Sequence, residues 1–167
     1  PDPAVSSEPN DEPVIDFGSL GTTVEELPKN WNAAVDAYGV GSRLPDSLSG
    51  TLTSTGSYNL FLERDDGGII EIFWSPETGE VSAVYVDGFT DTERQSTDFL
   101  ANSAAAVYST SDRDLAQSQS FVLDDLIGET VESGGADPAF AERIEEVDRY
   151  YQFGWYGNTL SFSVEAY

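Results

Sequence analysis

Three carboxylates near the middle of the chain have the residue types and spacing that could do chemistry. Asp87, Asp91 and Glu93 lie within seven consecutive residues, DGFTDTE, which also contain a glycine. Oxygen ligands in a glycine-containing loop suit a calcium ion. The spacing differs from that of an EF-hand loop, however, and Glu93 is also placed to cap a helix with Thr90. These acids are weak metal candidates, and we predict a protein without a bound metal or cofactor.

Most other catalytic chemistry is restricted by missing residue types. The chain has no Cys and no His, which excludes thiolate nucleophiles, zinc–thiolate sites and Ser-His-Asp triads. Acid pairs such as Asp124-Asp125 and Glu145-Glu146 fall on predicted helix faces, where carboxylates are usually solvated. No phosphate-binding loop, dinucleotide-binding glycine pattern or nucleophile elbow occurs. An enzyme that uses carboxylates or a bound cation is therefore the lowest-ranked hypothesis.

The charge balance limits the possible partners. The chain has 31 Asp and Glu against 7 Lys and Arg, with a formal net charge of −24. Nucleic-acid binding needs Lys and Arg to displace counterions, and anionic lipid surfaces select the same residues. No apolar run approaches the roughly 18 residues of a membrane span. We predict no nucleic-acid partner and no membrane insertion, whereas a basic partner would be attracted. The acidity also fits adaptation to high salt.

Apolar side chains in two regions are candidates for a binding surface. Alternation along the central strands predicts one sheet face with Tyr58, Leu60, Leu62 and Phe73, together with Val84 and Val86, which is too apolar to stay uncovered in water. The second region is the aromatic run 150–156, from which Tyr151 and Trp155 are the candidates. Aromatic rings suit sugar stacking and protein hot spots. Packing within the protein core is the competing interpretation for both regions.

A three-strand antiparallel meander is predicted to position these residues. Its strands cover 57–64, 69–75 and 80–87, with turn sequences at 65–68 and 76–79. The face predicted to form the core collects Phe61, Ile70, Ile72, Trp74, Val81, Ala83 and Tyr85. The strands 149–155 and 159–166 form a C-terminal hairpin, which either extends the meander or starts a second sheet.

Helices are predicted before the meander, and again between the meander and the C-terminal hairpin. The first covers about 24–38, with Thr22 or Thr23 as its cap, and the second covers 91–109. A third opens at Ser120, and a fourth follows the Asp137-Pro138 cap, because Phe140, Ile144, Val147 and Tyr151 recur at helical spacing. The sequence therefore predicts an α+β fold: an antiparallel sheet of about five or six strands, packed with three or four helices.

The N-terminal segment differs in composition from the rest. Residues 1–19 are rich in proline and acids and contain no base, which predicts a disordered tether before a single α+β domain at 20–167. A spacer of this kind is common after a signal sequence or a lipid-anchored cysteine. We therefore expect an extracellular or cell-surface location in a bacterium, as the soluble part of a lipoprotein or secreted protein, with a lipid anchor upstream of residue 1 as one route.

Two further functional hypotheses rank above an enzyme. The first is a non-enzymatic binding domain for an unknown protein or carbohydrate ligand, motivated by the tether, the missing catalytic residue types and the partly apolar sheet face. The second is an acidic inhibitor or immunity-type protein that binds a basic enzyme, because charge complementarity speeds association. The sequence resembles no known family closely enough for one to be named.

Overall fold

One seven-stranded antiparallel sheet forms the framework of the molecule. The computed structural model describes residues 16–127 and 139–167. The strand order is β1-β2-β3-β4-β7-β6-β5. The strands are β1 (Thr51–Leu52), β2 (Tyr58–Glu63), β3 (Ile69–Trp74), β4 (Val81–Phe89), β5 (Ala139–Glu145), β6 (Arg149–Tyr156) and β7 (Thr159–Ala166). The predicted α+β class is confirmed, with slightly more strands than expected.

The C-terminal hairpin extends the meander, because β7 pairs with β4. The additional strand, β5, lies where a fourth helix was predicted, so that prediction was wrong from residue 139 onward. β5 pairs with β6 along its whole length, and Ile144 lies opposite Tyr151. This pairing satisfies the backbone groups that a helix would have satisfied internally. The predicted Asp137-Pro138 cap lies outside the described residues.

Three α-helices accompany the sheet: α1 (Leu27–Tyr38), α2 (Glu93–Thr110) and α3 (Leu115–Ser120), the last continuing as a π-helical segment, Phe121–Ile127. The helix predicted from Ser120 thus begins earlier, at Leu115, behind an Asp114 cap. Helix α2 is capped by Thr92 rather than Thr90. The Thr92 hydroxyl accepts from the Gln95 backbone N–H, and Gln95 Oε1 accepts from the Thr92 N–H. Gln95 completes this capping box, in which Glu93 was expected to be the partner of Thr90.

The entry to α1 also differs from the predicted capping boxes. Glu26 occupies the cap position without a side-chain bond, and Pro28 stands in the first turn, where a missing N–H costs nothing. The Thr23 hydroxyl still accepts from the Glu26 N–H at 3.3 Å. Gly39 ends the helix at φ 72°, a left-handed conformation that favours glycine.

Strand pairing corrects the predicted assignment of side chains to sheet faces. Leu60 pairs with Ile72, and Leu62 with Ile70. Tyr58, Leu60 and Leu62 therefore face the same side as the β3 core residues, contrary to expectation. The hairpin closes on the Arg64–Gly68 pair and leaves an odd number of residues in its loop. A change of one residue in that count moves every side chain to the other face.

The same correction applies to β4. Val84 pairs with Ile72 and Val86 with Ile70, so both valines belong to the core side, whereas Ala83 and Tyr85 face away from it. Val81 reaches the core as predicted, because an irregularity between Phe73 and Trp74 places Val81 opposite Trp74. Such a bulge lets two residues on one strand oppose a single residue on the next.

The core lies between this side of the sheet, the inner face, and the helices. Its largest fully buried side chains are Trp31, Tyr151, Phe99, Phe153 and Phe162. Helix α2 packs across β4 and β7. Gly88 permits a close approach, since a Cβ there would stand 3.0 Å from the Cβ of Phe99. None of the helices within 16–127 has the length and apolarity needed to cross a bilayer.

Candidate functional site

The opposite side of the sheet, the outer face, carries two rows of aromatic and polar side chains that run across the strands. One row consists of Asn59, Phe73, Ala83, Glu165, Tyr150 and Glu145. The other consists of Phe61, Glu71, Tyr85, Ser163, Gln152 and Arg143. The buried core cluster, among described residues, includes none of Phe61, Phe73 and Tyr85. These rows are the candidate binding surface.

Glu165 organises the centre of the outer face. Its carboxylate accepts a hydrogen bond from the Tyr85 hydroxyl and another from Ser163 Oγ at 3.3 Å. The Phe73 ring meets the Tyr85 ring edge-on, with centroids 5.6 Å apart, a favoured aromatic geometry. These contacts hold the central rings in fixed orientations before any partner arrives.

Arg143 shows what kind of group the aromatic rings accept. Its guanidinium lies over the Tyr150 ring, 3.9 Å from the centroid. Tyr150 in turn packs against Tyr167, with centroids 5.6 Å apart. Arg143 also pairs with Glu145 at 3.1 Å, and its side chain remains 47% exposed. The outer face thus already contains one cation–π contact flanked by a carboxylate.

Part of the aromatic surface is open to solvent. Phe61 is 48% exposed and Tyr167 is 56% exposed, whereas Phe73, Tyr85 and Tyr150 are half-buried. A shallow depression of about 320 Å³ lies among Phe17, Phe73, Tyr85 and Ala166. A partner placed here would remove apolar ring surface from water, which is the main source of affinity at interfaces.

Glu63, Glu71 and Asp87 form an acidic trio at one side of the outer face. Ile69 of β3 lies opposite both Glu63 and Asp87, and Glu71 is two residues further along that strand. Burial, and then repulsion by Glu71, raise the pKa of Asp87 above its ordinary value. Among the described residues, no Arg or Lys forms an ion pair with the trio. The trio therefore offers uncompensated negative charge to a partner.

The tyrosines beside Glu165 are held in the neutral form. Burial is the first cause that raises the pKa of Tyr85, and hydrogen bonding to Glu165 is the second. The same two causes raise the pKa of Tyr150 to about 12. Both hydroxyls therefore act as hydrogen-bond donors across the physiological pH range.

The structure separates the binding residues that the sequence suggested. Phe73 lies on the outer face, whereas Tyr58, Leu60 and Leu62 lie on the inner face and pack partly against the core. Tyr151 is fully buried, 4.7 Å from the Phe121 ring centroid. Trp155 also packs on the inner side, and its indole N–H donates to the Gly157 carbonyl at 2.5 Å.

The weak metal candidates do not converge. Asp87 points to the outer face, Asp91 accepts a hydrogen bond from Asn158 Nδ2 at 3.0 Å, and Glu93 occupies the first turn of α2. Residues 16–127 and 139–167 contain no group of three or more His, Cys, Asp or Glu that could hold a metal ion.

Sequence reasoning did not select Phe61, Tyr85, Tyr150 or Glu165 as binding residues. Phe61 and Tyr85 were assigned to the core face, and that assignment depended on the parity of the β2–β3 hairpin loop. Only the turn geometry, in which the Arg64 N–H bonds to the Gly68 carbonyl at 2.9 Å, carries that information. Tyr150 and Glu165 come together because β6 and β7 pair.

A larger cleft of about 930 Å³ opens where α2 ends, between α1 and the start of β6. Two arginines line it, and both are engaged by the fold. Arg149 donates to the carbonyls of Leu20 and Thr110 and pairs with Asp148 at 3.0 Å.

Arg113, the second arginine, donates to Glu146 at 2.5 Å and to the Tyr151 hydroxyl at 3.2 Å. Its guanidinium also lies over the Phe121 ring at 4.1 Å. Because both cations already have carboxylate partners, neither is free for an anionic ligand. The cleft is therefore a weaker candidate site than the outer face.

Comparison with known proteins adds no relative from which a function could be transferred: no family model, no curated protein and no solved structure matches this chain.

Proposed function

We propose that this chain is a non-enzymatic binding domain that holds a basic protein partner on the outer face of its sheet. One observation carries the proposal: the outer face presents ordered aromatic rings beside an acidic trio that lacks a cation within the described residues. A partner with exposed arginine would supply both the missing charge and a group that stacks on aromatic rings. Charge complementarity of this kind also speeds association.

The charges on the outer face favour a protein ligand over a carbohydrate. Flat aromatic surfaces stack on sugars as well, but a neutral sugar would leave Glu63, Glu71 and Asp87 without a counter-charge. The contact of Arg143 with Tyr150, at 3.9 Å, is an internal example of the interaction that a basic partner would repeat. A carbohydrate ligand is the competing outcome of the experiment below.

An extracellular or cell-surface location in a bacterium belongs to this proposal. It is supported by the acidic, proline-rich composition of residues 1–19, which suits a spacer between an anchor or signal sequence and a domain. The coding sequence upstream of Pro1 provides the test. A signal sequence, with or without a lipid-acceptor cysteine, would support the location, and a cytosolic start would contradict it.

An acidic inhibitor of a basic enzyme is the second candidate function. The acidic trio favours it, because an inhibitor of this kind needs clustered acids that match a basic active-site rim. This function requires an association rate that falls steeply with salt, since screening weakens steering between exposed charges. A carboxylate-dependent enzyme ranks lower, because the cleft carboxylates Glu146 and Asp148 are already paired with Arg113 and Arg149.

Arrays of basic peptides and of glycans, probed with labelled protein, test the proposed function. The face variant combines Phe61→Ser with Glu71→Lys. The matched control combines Leu123→Ser with Asp125→Lys, which likewise replaces one apolar residue by serine and one acid by lysine, on an exposed part of the π-helical segment. We expect the unmodified protein and the control to bind arginine-rich peptides, and the face variant to lose that binding. Binding to glycans alone, or equal binding by both variants, would contradict the proposal.

A further inference from the structure

Strand β2 has an edge that its neighbour covers only in part. The two-residue strand β1 pairs with Asn59 and Tyr58 and with nothing further along β2. The following residues, 60–63, pair with β3 on one side. On the other side, no strand of the described chain lies beside them. This leaves an unpaired edge next to the outer face.

Hydrogen-bond alternation shows which backbone groups line that edge. Arg64, an even-numbered residue, bonds across to Gly68 in the β2–β3 hairpin, whereas Ser57, an odd-numbered residue, accepts from the Thr53 N–H on the β1 side. In an antiparallel ladder, successive residues turn their N–H and C=O groups to opposite sides. The backbone groups of Phe61 and Glu63 therefore point toward the open edge. No bond to them on this side occurs within the described parts of the chain.

The edge is protected by acidic charge alone. Proteins protect exposed edges with charged residues, Pro, bulges or covering segments, and 59–63 (NLFLE) has no Lys and no Pro but ends in the acid Glu63. Phe61 is 48% exposed, and Leu60 and Leu62 are half-buried. An added strand would thus find apolar contacts on both faces of the sheet.

The charge beside the edge selects the occupant. Glu63 and Asp65 are exposed and have no ion pair within the described residues. The nearby Arg64 is held by Asp66 at 3.0 Å and by Asp98 at 3.5 Å. A second copy of this chain would bring the same acids to the same edge, so self-pairing is opposed by repulsion.

We propose that the β2 edge accepts an extended basic segment of a partner protein as an additional strand beside Phe61 and Glu63. Such strand addition draws affinity from backbone hydrogen bonds and specificity from alternate side chains. Alternate residues of the added strand would lie beside Phe61 and Glu63 on the outer face, where arginine fits, and the others beside Leu60 and Leu62, where an aliphatic residue fits. The inference rests on the proposed function in one respect, which is that the partner is basic.

A capped peptide of about seven residues that alternates arginine and valine is the probe, since ordinary strands have this length. Amide hydrogen exchange and chemical shifts of the full chain are followed by NMR as the peptide is added. A block peptide of the same composition, with its arginines contiguous, tests whether binding requires arginine at every second position. A third peptide, N-methylated at alternate positions on its pairing side, removes the backbone donors but keeps the charge.

The alternating peptide should slow amide exchange at Phe61 and Glu63 by about tenfold or more. The block and N-methylated peptides should not. The Glu63→Lys variant should weaken binding of the alternating peptide, and Asp125→Lys, on an exposed position far from the edge, should not. These results together would support strand addition at β2.

Other outcomes would overturn the inference, and they separate it from the proposed function. If all three peptides shift Tyr85 and Tyr150 without protecting Phe61 and Glu63, the outer face binds but the edge does not. Slower exchange of the β5 amides instead would place strand addition at the opposite edge of the sheet. If exchange at Phe61 and Glu63 slows as the protein concentration rises, without peptide, the occupant of the edge is a second copy of the chain. Absence of binding by every basic peptide would count against both proposals.

Discussion

The carboxylate of Glu165 accepts a hydrogen bond from the hydroxyl of Tyr85 on the neighbouring strand. Glu165 also lies directly opposite Tyr150 on its other side. One acidic side chain thus joins the two cross-strand rows of the outer face and fixes the rings around it. The properties of these tyrosines should therefore depend on the charge at position 165.

Replacing Glu165→Gln should lower the pKa values of Tyr85 and Tyr150, because a nearby negative charge disfavours tyrosinate. Burial remains in the variant, so both values should stay above the ordinary value for tyrosine. Tyrosinate absorbance during a pH titration measures the change. Glu77→Gln, in the exposed β3–β4 turn, is the control and should leave the titration unchanged. An unchanged curve for the Glu165 variant would contradict the account.

The same groups should make stability fall in strong base. The folded protein holds the Tyr150 proton more tightly than the unfolded chain, since its pKa rises from 10.0 to about 12. The corresponding stabilisation is complete below pH 10.0 and is lost as the pH rises toward about 12. Urea unfolding of the unmodified protein across this range should show the fall. Flat stability between these limits would contradict the prediction.

Asp87→Asn should stabilise the protein at neutral pH by a few tenths to about 1 kcal/mol, because it removes first the cost of burying the carboxylate charge and second the repulsion by Glu71. The raised pKa of Asp87 means that its contribution is favourable in acid, below the unfolded value of 3.8, and is lost as the pH rises through the folded value. The gain from Asn should therefore disappear in acid, where Asp87 is itself protonated. Urea unfolding at neutral pH and in acid below pH 3.8 measures the change in the free energy of unfolding. Asp125→Asn is the control.

The alternation of side chains along each strand was readable from the sequence, but the pairing of their faces was not. Tyr58, Leu60 and Leu62 alternate as predicted, and their strand lies where it was expected. Their face depends on whether the hairpin closes on an odd or even number of residues, a choice that 65–68 (DDGG) leaves open. The apolar pattern cannot decide it either, because both faces of the meander carry apolar side chains.

Pairing between strands accounts for the other differences. The spacing of Phe140, Ile144 and Tyr151 fits a helix locally, yet Ile144 and Tyr151 belong to two strands that pair across a tight turn. Pairing with β6 supplies a template that local preference does not include. The binding surface was missed for the same reason, since Tyr85, Glu165 and Tyr150 meet only when β7 inserts between β4 and β6.

Arg149→Met should destabilise the fold by about 2 to 4 kcal/mol, since it leaves buried carbonyl groups without their donors. The guanidinium donates to Leu20 and Thr110, and Arg149 is only 7% exposed. Asp148→Asn is the matched control and should cost less, because that carboxylate is 58% exposed and asparagine keeps an oxygen that accepts from the guanidinium. Denaturant unfolding measures the free energy of unfolding of the two variants. Equal effects of both changes would show that the carbonyl contacts do not stabilise the fold.

Gly88→Ala should destabilise the protein by about 1 to 3 kcal/mol, the usual cost of overpacking a core. The new methyl group would lie 3.0 Å from the Cβ of Phe99 and 3.1 Å from the Cδ2 of its ring. The cost should shrink when Gly88→Ala is introduced into a Phe99→Leu background, where the ring is gone. Thermal unfolding of the unmodified protein, the two single variants and the double variant measures how far the two changes are coupled. An equal cost in both backgrounds would mean that the ring of Phe99 is not the obstacle.

Chemical-shift mapping with an arginine-rich peptide that binds on the array tests the central claim most directly. The account predicts that the largest changes fall on the outer-face strands, at Phe61, Glu71, Tyr85 and Glu165, and that they weaken as salt is added. Changes concentrated in the cleft, at Thr22, Tyr108 and Glu146, or unchanged binding at high salt, would contradict it.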